Sequence, residues 1–204
     1  MRQFGLIGRN ISYSFSQSYF TEKFKNENIV DCIYNVFDLK EIEEVEKVFN
    51  TENLVGFNVT IPYKQEIIPY LDELSAEAKA IGAVNTVLIK DGKRIGHNTD
   101  CYGFHHSILP LLQQNHTKAL VLGNGGAAKA VFYILNLLNI DFKIVARNPT
   151  ENQLSYEEID ENTLNDYPII INCSPVGTFP SIEKSPLLPY QFISAKHLLY
   201  DLIY

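Results

Sequence analysis

Positive charge is scarce in this chain. Seventeen lysines and arginines face 24 aspartates and glutamates across 204 residues, for a net charge of −7 and a pI near 5.2. Nonspecific binding to nucleic acid or to an anionic membrane needs a basic face, so neither partner is expected. Cysteine is scarce too. Cys32, Cys101 and Cys173 are odd in number and far apart, which argues against a disulfide framework or zinc spacing and reads as reduced thiols in a cytoplasmic protein. No run of about 18 apolar residues exists, so no membrane-spanning helix is expected. Met1–Gly8 has no apolar core followed by a cleavage site, so it does not read as a signal peptide. Cys101 and His105 could start a metal site, but no further ligand stands at a plausible spacing, and no metal is expected.

Hydrophobic residues make up 46% of the chain, enough for packed cores. Short apolar segments at 3–8, 32–39, 54–60, 118–122, 141–146, 167–173 and 197–204 read as strands. Helical periodicity appears at 17–27, 40–49, 64–82 (interrupted at Pro69), 101–114 (with Pro110) and after residue 125. Asp91-Gly92 between two strand-like runs predicts a hairpin. Strands alternating with helices give an α/β protein with a largely parallel sheet. The best boundary lies near Asp100–Tyr102, dividing a domain over 1–100 from one over 101–204. A crevice between two such domains is where a substrate meets a cofactor.

Gly123-Asn124-Gly125-Gly126-Ala127-Ala128 fits the dinucleotide pattern G-x-G-x-x-G/A and stands after a strand and at the start of a helix. Gly123 permits the tight turn, Gly125 lets backbone approach a pyrophosphate, and the helix amino terminus aims its N–H groups at the phosphates. At the end of the next strand an NAD site places an acidic residue; here stands Arg147, whose guanidinium suits the 2′-phosphate of NADP, with Glu151 nearby. The other reading of Arg147 is a solvated loop residue.

Lys64 ends the rigid stretch Gly56-Phe57-Asn58-Val59-Thr60-Ile61-Pro62-Tyr63-Lys64, and Asp100 ends Gly96-His97-Asn98-Thr99-Asp100. Together they offer a proton-transfer unit, and beside a hydride carrier such a unit makes a nicotinamide-dependent alcohol dehydrogenase. The proton is assigned to the pair rather than to either residue. Each has an ordinary alternative: lysines are commonly solvated, and Asp100 could cap a helix. Asn58, Thr60 and Asn85 can bond substrate hydroxyls or backbone groups. Ser14 and Ser16 precede a helix and can bind a carboxylate or cap the helix.

These segments together resemble the shikimate dehydrogenase family over the whole chain. Ile7-Gly8 with Ser14-Phe15-Ser16 is similar to its substrate-carboxylate motif. Residues 56–64 resemble N-V-T-x-P-x-K, Gly82-Ala83-Val84-Asn85-Thr86 resembles G-A-x-N-T, and Gly96–Gly103 resembles G-x-N-T-D-x-x-G. Asn172-Cys173-Ser174-Pro175-Val176-Gly177 is similar to the segment lining the nicotinamide, and Tyr200-Asp201-Leu202-Ile203-Tyr204 to the Y-D-x-x-Y strand.

The resemblance implies an N-terminal α/β substrate domain followed by a Rossmann-like NADP domain, and reversible reduction of 3-dehydroshikimate to shikimate in a cytoplasmic monomer or homodimer. It implies that Ser14, Ser16, Thr60, Asn85, Asp100 and Tyr204 hold shikimate and that Lys64 and Asp100 move the proton. Gly125, Gly126, Ala127 and Arg147 then hold NADP. The chain departs from the family pattern at several positions. Tyr13 replaces histidine, Gln17 replaces proline, Ala146 replaces asparagine, a second phosphate-binding arginine is missing, and Thr178 stands where a methionine touches the nicotinamide. The family continues past Y-D-x-x-Y with a helix that brings a glutamine to the substrate, so a member incomplete at its carboxyl end is expected. Competing expectations are a quinate-accepting or NAD-using variant, a binding module without turnover, and an unrelated Rossmann-type regulator.

Overall fold

The computed structural model describes residues 1–12 and 14–203, and the chain forms two compact units, Met1–Thr99 and Asp100–Tyr204. The first is built on a mixed six-stranded sheet. In it β1 (Arg2–Gly8) lies between β2 (Cys32–Asp38) and β3 (Leu54–Val59), parallel to both. The sheet is completed by β4 (Glu73–Leu74), β5 (Thr86–Lys90) and β6 (Lys93–His97), in the order β2-β1-β3-β5-β6-β4. β5 runs antiparallel to β3 and β6, and β4 runs parallel to β6 at the edge. Asp91 and Gly92 have φ of 52° and 75°, the two left-handed residues that a tight hairpin turn requires.

Side chains alternate between the faces of this sheet. Leu6 and Tyr34 pack under α1 (Ser16–Asn26), which presents Phe20 and Phe24 one turn apart; the Phe20 ring stacks on Tyr34 at 4.4 Å. Ile7, Phe57, Val59 and Val87 face the other way. They meet Val45 and Val48 of α2 (Val45–Phe49), Ala78 of α3 (Ala76–Ile81), and the turn residues Tyr63 and Ile67. Each large side chain so buried is worth about 1.5–3 kcal/mol.

Residues 64–82 depart from the single interrupted helix expected there. The chain runs through turns over 61–67, a 3₁₀ turn at Ile68–Tyr70, then β4 and α3. Pro69 has no amide to donate. Beyond it, the amides of Asp72 and Ser75 donate to the carbonyls of Arg94 and Gly96, so the backbone partners lie on another strand. The stretch 40–49 also starts as a 3₁₀ turn, Ile42–Glu44, before α2.

The second unit opens with α4 (Asp100–Ile108), which passes into a 3₁₀ turn at Leu109–Leu111 containing Pro110 and so ends before the expected Gln114. Its sheet is wholly parallel, in the order β10-β9-β7-β8. The strands are β7 (Lys118–Leu122), β8 (Asp141–Val145), β9 (Ile169–Asn172) and β10 (Leu198–Asp201). β9 is buried along its whole length and β7 at all but Lys118, matching their unbroken apolar runs. α5 (Gly126–Leu137) buries Ala128, Val131 and Leu135, and Leu138 falls at its carboxyl cap. Residues 148–167 hold a 3₁₀ turn at Tyr156–Glu158 and α6 (Glu161–Asp166), capped by the Asp160 carboxylate on the Thr163 amide at 2.8 Å. Among the described residues no helix is long and apolar enough to cross a membrane.

Candidate active site

In the first unit the candidate residues gather at one end of the sheet. β1 and β3 finish at Gly8 and Val59, and β6 finishes at His97. β5 runs the other way, so its start, next to Asn85, falls at the same end. Ser14, Ser16, Thr60, Lys64 and Asn85 therefore all leave strand ends on one rim, the usual location of a ligand in an α/β sheet.

Lys64 sits half-buried on a turn held from both sides. Tyr63 and Ile67 are fully buried, and the Ile67 amide donates to the Tyr63 carbonyl at 3.0 Å. The Tyr63 hydroxyl donates to the Leu39 carbonyl at 2.9 Å and accepts from Arg9 Nε at 3.1 Å. The Lys64 carbonyl accepts from the Val84 amide at 2.7 Å, which ties the lysine to the segment that carries Asn85. Thr60 is fixed by its amide on the Ile7 carbonyl at 2.9 Å.

Asn85 is 8% exposed. Its Oδ1 accepts from the Thr99 amide at 2.8 Å and from the Thr86 hydroxyl at 3.1 Å, while its Nδ2 donates to Thr99 Oγ1 at 2.9 Å. Asn98 is also buried, its Nδ2 donating to the Ala83 carbonyl at 3.0 Å. Asp100 follows Thr99 directly and is the first residue of α4, where its carboxylate suits the helix dipole. Ser14 Oγ accepts from the Ser16 amide at 3.3 Å. α1 starts without a side-chain cap, so the pair makes a local serine turn rather than the capping arrangement.

In the second unit the cofactor candidates share the carboxyl ends of the parallel strands. Gly123 has φ of 107°, and a Cβ there meets the Ser174 amide nitrogen at 3.1 Å, so both backbone angle and space demand glycine. A Cβ on Gly125 meets nothing within 4 Å. No side chain caps the first turn of α5, which leaves Gly126 and Ala127 on a helix start suited to phosphate oxygens. Arg147 is exposed two residues past β8, and its charge bears on Tyr156, whose hydroxyl burial pushes up and a Ser174 hydrogen bond opposes.

Asn172 is buried, its Nδ2 donating to Asp201 Oδ1 at 3.0 Å and its Oδ1 accepting from the Ser174 hydroxyl at 2.7 Å and amide at 3.0 Å. Burial first, and then the Asp201 carboxylate, pushes the Cys173 thiol up to about 12. Thr178 is half-buried, its amide donating to the Pro175 carbonyl at 3.2 Å. Tyr13 and Tyr204 lie outside the described residues.

Sequence reasoning missed Tyr34 and gave Thr86 and Thr99, though both stand in its motifs, no role of their own. The Tyr34 hydroxyl donates to Asn58 Oδ1 at 2.8 Å, and Asn58 Nδ2 donates to Thr86 Oγ1 at 3.3 Å. The available signal was weak: a threonine beside each of two asparagines, and a tyrosine in a strand of alternating burial.

A glycine turn heading a parallel sheet, joined to a second α/β unit with a lysine and an asparagine on its rim, defines the class of two-unit nicotinamide-dependent dehydrogenases. Residues 6–87 match the family model described as the shikimate dehydrogenase substrate binding domain. A protein of Clostridium botulinum named shikimate dehydrogenase (NADP(+)) is 40% identical over 98% of this chain and 81% of its own length. A crystal structure of a shikimate dehydrogenase in complex with NADP+ superposes with a TM-score of 0.83 at 33% identity, covering 100% of this chain and 77% of that one. The Thermus thermophilus enzyme, solved in complex with NADP(H) and shikimate, gives a TM-score of 0.83 at 26% identity over 100% and 79% of the two chains. This chain belongs to the shikimate dehydrogenase family.

Proposed function

We propose that this chain catalyses the reversible, NADP-dependent reduction of 3-dehydroshikimate to shikimate, working as a cytoplasmic monomer or homodimer. The observation that carries the reading is the anchoring of Lys64. Two fully buried residues and a hydrogen bond to the Asn85 segment hold its backbone in place, in a chain 40% identical to a shikimate dehydrogenase.

Ser14 and Ser16 bind the substrate carboxylate, and Thr60 and Asn85 bind its hydroxyls, with Tyr204 completing the set. Lys64 and Asp100 handle the proton. In the oxidation direction they take the proton of the reacting hydroxyl as that carbon gives up hydride, and in reduction they return it to the nascent alkoxide. Position matters most for such a group, because a displaced acid or base loses its advantage steeply.

The second unit fits a dinucleotide: Gly123 and the open Gly125 admit close backbone approach, and α5 offers an uncapped first turn. When bound, NADP supplies the hydride acceptor or donor. Gly123, Gly125, Gly126 and Ala127 would hold its pyrophosphate, Arg147 would pair with its 2′-phosphate, and Thr178 would face the nicotinamide.

The test is shikimate-dependent reduction of NADP and of NAD in parallel, with Lys64→Ala as control. Turnover that favours NADP and falls by about 10²–10⁴ in the variant is expected. Turnover indifferent to Lys64 would overturn the assignment.

A further inference from the structure

One directed run of side-chain hydrogen bonds crosses the sheet of the first unit. Its polarity is set at one end by the Thr99 amide, which can only donate and so fixes Asn85 Oδ1 as the acceptor, at 2.8 Å. The Thr86 hydroxyl then donates to that same oxygen at 3.1 Å. Thr86 Oγ1 in turn accepts from Asn58 Nδ2 at 3.3 Å, which turns Asn58 Oδ1 toward Tyr34. The Tyr34 hydroxyl donates to Asn58 Oδ1 at 2.8 Å. With its own proton committed, the Tyr34 oxygen is left only to accept.

Tyr34 is 4% exposed and stacks on Phe20, so its hydroxyl is delivered to one place. Tyr34, Asn58 and Thr86 form the polar edge of an apolar cavity of about 230 Å³ lined by Phe4, Phe20, Phe24 and Leu88, surroundings that strengthen the bonds among these three.

We propose that Tyr34 is a positioning residue for the substrate: its hydroxyl orients the Asn58 amide and, through Thr86, the amide of Asn85, a residue proposed to bind a substrate hydroxyl. The inference rests on the shikimate dehydrogenase reading. It assigns Tyr34 no contact with the reacting atoms. Without the hydroxyl, Asn58 loses the donor that orients its amide, while the Phe20 stack survives.

The experiment compares wild-type protein with Tyr34→Phe, Thr86→Val and Thr86→Ser, measuring kcat, KM for shikimate, KM for NADP and melting temperature. Tyr34→Phe and Thr86→Val are expected to raise KM for shikimate about tenfold, the value of one hydrogen bond, with kcat and KM for NADP near wild type. Thr86→Ser keeps the hydroxyl and should keep the wild-type KM. A wild-type shikimate KM in both Tyr34→Phe and Thr86→Val, in an active enzyme, overturns the positioning role alone. Losses that follow melting temperature and strike both substrates equally reduce the hydroxyl to a structural role and also overturn it. Absence of shikimate turnover in the wild type sinks the functional reading and this inference together. Should Tyr34→Phe not fold, the two Thr86 variants decide.

Discussion

Asn85 grips Thr99 at two points: its Oδ1 accepts from the Thr99 amide at 2.8 Å, and its Nδ2 donates to the Thr99 hydroxyl at 2.9 Å. Fourteen residues separate the two in the chain. The grip sets the path of the backbone at Thr99, so a residue proposed to bind substrate also holds the end of the first unit.

Asn85→Ala removes both bonds, each worth about 0.5–1.5 kcal/mol. Such a loss costs about 1–3 kcal/mol. Urea unfolding should show that decrease, and kcat/KM for shikimate should fall by more than the folded fraction accounts for. A variant that loses stability and keeps its shikimate kinetics would confine Asn85 to the fold.

Gly123→Ala puts a methyl group 3.1 Å from the Ser174 amide on a residue at φ of 107°. Alanine in a backbone region it rarely adopts destabilises by more than about 1 kcal/mol. Displacement of the turn would also withdraw backbone from the pyrophosphate proposed to bind there. The expected result is a raised KM for NADP with KM for shikimate unchanged. Equal rises in both would show that the turn does not serve the cofactor.

These variants also mark how far residue patterns reach. Asp91-Gly92 announces its hairpin because few residues tolerate two successive positive φ values. Gly123 announces a strand–helix turn for a similar reason. β4 was not legible: Glu73 and Leu74 are a strand only because β6 lies alongside them, and two residues carry no period. The helix expected over 64–82 is replaced at its start by turns, where a single i to i+4 bond from the Ile67 amide to the Tyr63 carbonyl gives one helical turn of spacing without a helix. For the candidate site, spacing could name Lys64 and Asn85 but not what they touch. The bond from Tyr34 to Asn58 joins residues 24 apart on strands that are not neighbours, and only the assembled sheet brings them together.

Arg147, proposed to bind the 2′-phosphate, is exposed beyond β8. A guanidinium–phosphate pair at the surface is still worth enough to choose between cofactors. Arg147→Ala should lower kcat/KM for NADP about tenfold, a change of about 1.4 kcal/mol, and leave kcat/KM for NAD near wild type. The ratio of the two efficiencies is the measurement. A ratio that does not move would place the 2′-phosphate elsewhere.

Cys173 makes stability depend on alkaline pH. Burial, aided by the Asp201 carboxylate, pushes its thiol from an ordinary value near 9.0 up to about 12. The folded state therefore favours the neutral thiol, while the unfolded chain ionises first. The stability from this group is fully present below about pH 9 and is lost as pH rises toward 12, at no more than about 1.4 kcal/mol per pH unit. Tyr34, pushed by burial from 10.0 to about 12, adds the same sign of dependence from about pH 10 upward. Urea unfolding of wild type and Cys173→Ala at intervals between about pH 8 and pH 11 separates the two. From about pH 9 upward the wild type should lose stability faster than Cys173→Ala, with Tyr34 adding to the loss in both from about pH 10. Parallel curves for the two proteins would show that the Cys173 thiol ionises as freely in the fold as in the unfolded chain.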